Sequence, residues 1–407
     1  MPATSSTADR AAADRAAADR AAADRAAADR CPGVLRLAEA ADGYLARVRL
    51  PGGLIGAGPM RVLARLASEL GDGRVELTSR GNVQLRGLAA DAARPLTDEL
   101  ARAGLFPSPG HDRVRNVLAS PLAGLDGGPD LTAVVQGLDA TLCARPRLAE
   151  LPGRFLFAVD DGRGDVADLG ADVIAQVRAD GAVVNGLTVP QDGAAHDAAA
   201  DTTVTVMLAC AEAFLDERAA QGGTAWRIAD LADGPARVRA AVAARLGLAA
   251  APQPSGASSS SGGPASRPVG VVGPGGTAAV LLAPLGRLTT AQLTWLADRA
   301  RGRPARITPW RSVVLPDLPD AAGLVRDAAG LGFGVDATSL WLRVTACAGR
   351  PGCASALADV QADAAAFAAR WPDRIVHVSG CARHCGRPAA TQVDVTATSE
   401  GYQVAGI

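Results

Sequence analysis

The chain has no lysine; its 41 basic residues are all arginine, a bias a GC-rich genome accounts for. Aromatic residues make up only 3%, so alanine, valine and leucine must carry the cores. No run of 18 uncharged apolar residues occurs, which excludes a bilayer-spanning helix, and the amino terminus lacks a hydrophobic run of signal-peptide type. The expectation is a cytoplasmic, reducing setting in which thiols are free for metal. A formal net charge of −1 advertises neither nucleic acid nor a membrane surface as a partner. Histidine is scarce, at four residues, and seven cysteines, an odd count, argue against a closed disulfide framework.

What is present is ordered by repetition. Residues 8–30 repeat Ala-Asp-Arg-Ala-Ala, and a five-residue step turns the charges by about 140° each time, so no helical face stays apolar enough to pack. Residues 1–31 therefore read as a solvated tail, and residues 251–268, rich in proline, serine and glycine, as a flexible linker. Between them the periodicity predicts a strand at 44–50, a helix at 60–70, a strand region at 74–88 anchored by Leu77, Val83 and Leu85, and a helix at 92–103. The same order returns after the linker: 306–315 aligns with 76–85 at an offset of 230, flanked by helices at 290–301 and 321–331. Residues 114–117 match 342–345, 154–159 match 374–379, and hairpins turn at Asp180-Gly181 and Glu400-Gly401. The expected fold class is α+β, internally duplicated. Two ferredoxin-like half-domains (32–110 and 269–338) are each followed by a larger α/β-layered domain (111–250 and 339–407).

The second half alone carries paired cysteines, Cys347 with Cys353 and Cys381 with Cys385. A strand at 341–345, a helix with Leu357, Val360, Ala364, Phe367 and Trp371 on one side, and a strand at 374–379 suggest a parallel crossover. Such a unit delivers both cysteine loops to one sheet edge. Four thiolates there could hold an iron–sulfur cluster, a zinc ion or two disulfides. The five-residue gap between Cys347 and Cys353 is long for zinc, and disulfides need an oxidising compartment, which ranks the cluster first. Cys31, Cys143 and Cys210 fall outside the constellation and read as incidental small residues. At the place of the second cysteine loop, the first half has only Asp160-Asp-Gly-Arg-Gly-Asp165.

Thr345-Ala-Cys347 with five residues to Cys353, then Val378-Ser-Gly-Cys381 with three to Cys385 and a glycine, resembles the 4Fe-4S signature of the sulfite and nitrite reductase superfamily. The short divided chain and Ile307-Thr-Pro-Trp-Arg311 are most similar to its precorrin-3B synthase branch, from aerobic cobalamin biosynthesis. The resemblance covers the chain from Pro32 onward. It implies one 4Fe-4S cluster on Cys347, Cys353, Cys381 and Cys385, a tetrapyrrole substrate (precorrin-3A) with dioxygen, an electron donor, and a mononuclear non-haem iron. The ligands of that iron have no recognisable spacing here; His111 and His384 are its weak candidates, His377 and His196 being read as structural or surface residues.

The carboxylates of such a substrate suit arginine, whose planar guanidinium pairs with them through two charge-assisted hydrogen bonds. Thr78-Ser-Arg-Gly-Asn-Val-Gln84 resembles the family's cofactor-contacting strand, which nominates Arg80, Asn82 and Gln84, with Arg86 behind them. If 80–86 is one strand, these four share a face while Val83 and Leu85 enter the core. Arg115 and Asn116, with Arg113, match a second family segment, and Arg311 sits in the repeat-related strand. No catalytic acid or base is assigned. The alternatives are a sirohaem sulfite or nitrite reductase and a non-catalytic iron–sulfur electron-transfer protein. The first is weakened because sulfite-reducing relatives use lysines with arginines at the anion, and because Gln392 stands where an acidic residue is expected.

Overall fold

The structure, a computed structural model, describes residues 29, 31–190, 196–251, 267–300 and 302–406. The tail to residue 28 and the linker from 252 to 266 lie outside the described residues. Asp29 and Cys31, assigned to a solvated tail from the sequence, are instead tied to the body. Asp29 accepts from the Gly153 N–H at 2.8 Å and pairs with Arg113 at 3.0 Å.

The first half runs β1 (Ala38–Ala40), β2 (Gly43–Val48), β3 (Leu54–Ile55), α1 (Ala57–Leu70), β4 (Arg74–Leu77), β5 (Val83–Leu88) and α2 (Ala93–Arg102). It continues with β6 (Val117–Ala119), α3 (Thr132–Ala144), β7 (Phe157–Asp160), β8 (Val173–Arg178), β9 (Gly181–Val184), β10 (Leu187–Val189), α4 (His196–Ala220) and α5 (Gly234–Leu246). The second half repeats the order with β11 (Gly270–Val272), β12 (Ala278–Leu282), β13 (Arg287–Thr289), α6 (Thr290–Arg299), β14 (Ala305–Ile307), β15 (Ser312–Leu315) and α7 (Ala321–Gly330). It ends with β16 (Val344–Ala346), α8 (Val360–Arg370), β17 (Val376–Ser379), β18 (Val393–Thr398) and β19 (Gly401–Ala405).

The duplication is visible in the hydrogen bonds. Sheets β1-β2-β5-β4-β13 and β11-β12-β15-β14-β3 have one topology, and each takes its last strand from the other half. β13 pairs antiparallel with β4, and β3 with β14. The two units therefore share one core, in which Val48, Leu63 and Leu85 cluster with Leu281, Leu296 and Val313. At the repeat-related turns Thr78 Oγ1 accepts from the N–H of Arg80 and Asn82, and Thr308 Oγ1 from those of Trp310 and Ser312. Gly81 and Arg311 hold the same left-handed position, at φ 64° and 60°. The larger sheets also agree: β6∥β7∥β8 with β9 antiparallel in one, β16∥β17∥β18 with β19 antiparallel in the other.

Several local expectations shift. The strand expected over 341–345 begins only at Val344, because Ser339 caps a short 3-10 turn, Leu340–Leu342. Val117 and Val344 each open a strand, so the match of 114–117 with 342–345 slips by one residue. Leu357 lies before α8, which Asp359 caps through the Ala362 N–H, and it is exposed. The strand region 74–88 is two strands, separated by the turn at Thr78–Asn82.

The exchange depends on Gly53, held at φ 70° just before β3, where a Cβ would overlap the Ile307 carbonyl oxygen on β14. Gly53→Ala is expected to cost about 2–4 kcal/mol through left-handed strain and loss of the β3–β14 approach. Urea unfolding would register it as one lowered midpoint for both half-domains, since they share a core.

Candidate functional site

The cysteine edge is built by parallel pairing. With Val344 opposite Val376, β16 and β17 end side by side, and the chain beyond each turns into a cysteine loop. Cys347 continues the pairing by donating its N–H to Val378 O at 3.1 Å, while its Sγ accepts from the Gly380 N–H at 3.1 Å. Leu357 N–H closes on Gly380 O at 2.8 Å, joining the first loop to the second. A Cβ on Gly380 would lie 2.7 Å from Ala356 Cβ and 3.5 Å from Cys347 Sγ, so glycine lets the loops touch. Cys347, Cys353 and Cys381 are partly buried, Cys385 is exposed, and all four are free thiols.

Among the described residues, no three Cys, His, Asp or Glu side chains are drawn around one point as a single metal ion requires. A four-iron cluster asks for something different, one thiolate per iron around a larger body. Four cysteines on two touching loops are the donor type such a body takes.

A polar row leads from this edge across the first half-domain sheet. Register places Arg47 (β2) beside Gln84 (β5), Gln84 beside Glu76 (β4), and Glu76 beside Arg287 (β13). Their side chains join in turn: Arg47 donates to Gln84 at 3.1 Å, Gln84 to Glu76, and Arg287 Nε pairs with Glu76 at 3.2 Å. Arg287 also donates to Gln361 on α8, whose amide donates to Cys347 O at 3.2 Å. Beside the row opens a cavity of about 730 Å³, lined by Arg74, Arg86, Arg287, Trp341 and Arg350 among others. Arg86 spans its rim, pairing with Asp42 at 2.9 Å and donating to Gly352 O at 2.9 Å in the first cysteine loop.

At the other end of the row, cations outnumber their partners. Arg80 has its pKa lowered by burial and by neighbouring Arg227, and Arg47 by burial; Arg47 Nε is enclosed without a hydrogen bond. Positive charge held in a partly dry environment is costly, and an anion beside it would lower that cost.

The nominated residues divide. Gln84 and Arg86 share the polar face, as alternation predicted. Arg80 and Asn82 do not alternate with them, because both lie in the turn. Asn82 is fully buried, accepting from Leu50 N–H at 2.9 Å and donating to Asn116. Asn116 is buried too, donating to Gly153 O at 3.0 Å, and Arg115 is clamped by Asp139 at 2.6 and 2.7 Å. These three brace the backbone here rather than facing a ligand. Arg113 holds Asp29, and Arg311 is exposed. Arg47, Glu76, Arg287 and Gln361 were missed. Period-two alternation in 44–50 could have found Arg47, whereas Arg287 required knowing that strands are exchanged.

The histidines are also placed. His111 is enclosed between Ser108 Oγ at 2.9 Å and Arg145 O at 3.1 Å, so its ring is committed, which removes it as a candidate iron ligand. His384 Nδ1 lies 3.0 Å from Asp394 Oδ2. His377 is fully buried, with Nδ1 2.8 Å from Thr345 Oγ1, and burial pulls its pKa down to about 4. His196 opens α4.

In the first half the corresponding edge is closed by oxygen chemistry. Ser120 N–H pairs with Val159 O as Cys347 N–H does with Val378 O, and Ser120 Oγ accepts from Asp161 N–H at 3.2 Å where Cys347 Sγ accepts from Gly380. Ser120 thus occupies the place of Cys347, and its hydroxyl donates to Asp165 at 2.5 Å.

Residues 37–103 match the nitrite/sulfite reductase ferredoxin-like half domain. NirA of Mycobacterium tuberculosis superposes with a TM-score of 0.65 at 22% identity, over 89% of this chain and 73% of that one. The fold is that of the nitrite and sulfite reductases. In sequence, the chain is 26% identical to a precorrin-3B synthase of Sinorhizobium, over 91% of itself and 81% of the relative. It is also 26% identical to the ferredoxin–nitrite reductase of Synechococcus elongatus, over 89% and 78%. Its relatives across most of its length are therefore oxidoreductases. Among the described residues of this reductase-like fold, no helix is long and apolar enough to cross a membrane.

Burial, with Asp160 and Asp161 nearby, pushes the Asp165 carboxyl up to about 6. Because the folded state binds this proton more tightly than the unfolded state, the ionised form is destabilising above that pH. Asp165→Asn keeps an acceptor for Ser120 and is expected to stabilise by about 1–2 kcal/mol at pH 7.5. The gain should shrink as pH falls through 6 and vanish below the ordinary aspartate range, read from urea midpoints across that series.

Proposed function

We propose that this chain is an oxygen-dependent monooxygenase of aerobic cobalamin biosynthesis that converts precorrin-3A to precorrin-3B. The observation that carries the reading is the polar row, which links under-neutralised arginines to the backbone of a four-thiol edge. The similarity to a precorrin-3B synthase along nine-tenths of the chain supports it.

Cys347, Cys353, Cys381 and Cys385 are the ligands of a 4Fe-4S cluster in this reading, and the cluster supplies one-electron transfer. The remaining work falls to the chain. Arg80 and Arg47 bind substrate carboxylates, because ion pairs there relieve buried positive charge. Gln84 and Glu76 fix the direction of Arg47, and Arg287 with Gln361 holds Cys347 in place. The cavity beside Trp341 has the volume of a ligand site and abuts the first cysteine loop, so a macrocycle there would present one face toward the thiols. Hydroxylation with lactone closure places one oxygen atom of dioxygen in the product; the other leaves as water with two protons and two electrons from a donor.

A second reading, a sirohaem-dependent nitrite or sulfite reductase, draws on the equal identity to a ferredoxin–nitrite reductase. Anaerobic purification with iron and sulfide counting and an absorption spectrum separates the two. The first reading expects four acid-labile sulfides per chain without intense haem-like absorption, and turnover of precorrin-3A only with oxygen. Sirohaem absorption, or turnover of nitrite or sulfite, would overturn it. Cys381→Ser should abolish sulfide retention. Arg80→Ala should keep it and weaken tetrapyrrole binding about 10- to 100-fold, as loss of a charged hydrogen bond predicts.

A further inference from the structure

The duplication supplies an internal comparison for two polar residues beside the first cysteine loop. Arg287 opens β13 and faces Glu76 in register, whereas the repeat-related strand β3 opens with Leu54, which faces Arg306. Gln361 is the second residue of α8, and its counterpart at the second position of α3 is Ala133. The half with paired thiols thus has an arginine and a glutamine where the half without them has a leucine and an alanine. Arg287 is fixed before it meets Gln361: its guanidinium pairs with Asp72 at 2.8 Å and with Glu76 at 3.2 Å, both from the first half-domain, and its side chain is 17% exposed. A guanidinium has only donors, so its remaining contact, with Gln361, must take the amide oxygen. That contact turns the amide nitrogen toward Cys347 O, to which it donates at 3.2 Å. Cys347 Sγ separately accepts from the Gly380 N–H, so the residue meets a donor at its carbonyl and another at its sulfur.

We propose that Gln361, held by Arg287, is a positioning residue that makes a cluster on Cys347 easier to reduce. The inference rests on the cluster reading above and goes beyond it, from which residues hold the cluster to what sets its potential. Hydrogen bonds and net charge around the ligands move iron–sulfur potentials over a wide range. The Gln361 amide fixes the Cys347 carbonyl dipole and draws charge from that peptide. Arg287 adds a positive charge behind the amide and keeps it from flipping. Both effects favour an added electron. Because β13 pairs with β4, the sheet of the first half-domain supplies the carboxylates that aim this arginine, and the strand exchange carries their influence to the cysteine edge of the second half.

The test uses the full chain, purified anaerobically, with acid-labile sulfide counted and the midpoint potential read from a redox titration followed by electron paramagnetic resonance. Gln361→Leu removes the donor, and Gln361→Glu replaces it with a carboxylate that Arg287 can still pair. At unchanged sulfide content, the reduction equilibrium should fall about tenfold in Gln361→Leu, which is about 59 mV for one electron, and further in Gln361→Glu. Ala133→Gln, at the exposed equivalent position of the other half, should leave the potential where it is. Equal potentials in the wild type and Gln361→Leu would overturn the proposal and leave the cluster reading standing. Loss of sulfide from both Gln361 variants would do the same, since the residue would then be structural. A wild type without sulfide would overturn both.

Discussion

The candidate site depends on the register of one parallel strand pair. With Val344 set against Val376, the chain leaves both strands at the same height, and loops far apart in sequence meet there. Parallel pairing demands a crossover, and α8 supplies it, capped by Asp359 and packed on the valines of the sheet through Val360 and Ala364. A slip of one residue would turn His377 into the core and the valines out to the polar side. The position of the sulfurs is therefore a property of sheet pairing before it is a property of any loop.

The duplication shows what that framework tolerates. The first half preserves the register, the crossover and even the N–H that meets Cys347 in the second half, yet it has a serine hydroxyl there and a carboxylate behind it. The sheet stands without thiols at that edge, because the Val117, Phe157 and Val173 core contacts hold it. The shared backbone and the different side chains show that one scaffold carries either thiols or oxygen groups at this edge.

Much of this was legible in the sequence, and the exceptions have physical reasons. The repeat, the crossover and the convergence of the cysteine loops followed from periodicity, because amphipathic patterning survives when side chains drift. Gln84 and Arg86 were placed on one face for the same reason. Arg80 and Asn82 were placed on that face too, wrongly, because a turn obeys no period, and its signal, Thr78 accepting two backbone N–H groups, resembles ordinary strand sequence. Arg115 looked like a ligand-binding cation until Asp139, 24 residues away, was seen to neutralise it. Pairings of that kind between distant segments carry no local mark.

The exchanged strands have a further meaning for the molecule's history and handling. Each small sheet is finished by a ribbon from the opposite repeat, at β3 and β13. With that exchange in place, neither repeat is a self-sufficient module. A polypeptide severed between the repeats would give two interlocking pieces, each with a raw sheet margin until it recovers its counterpart. The halves are obligate partners that happen to be covalently joined.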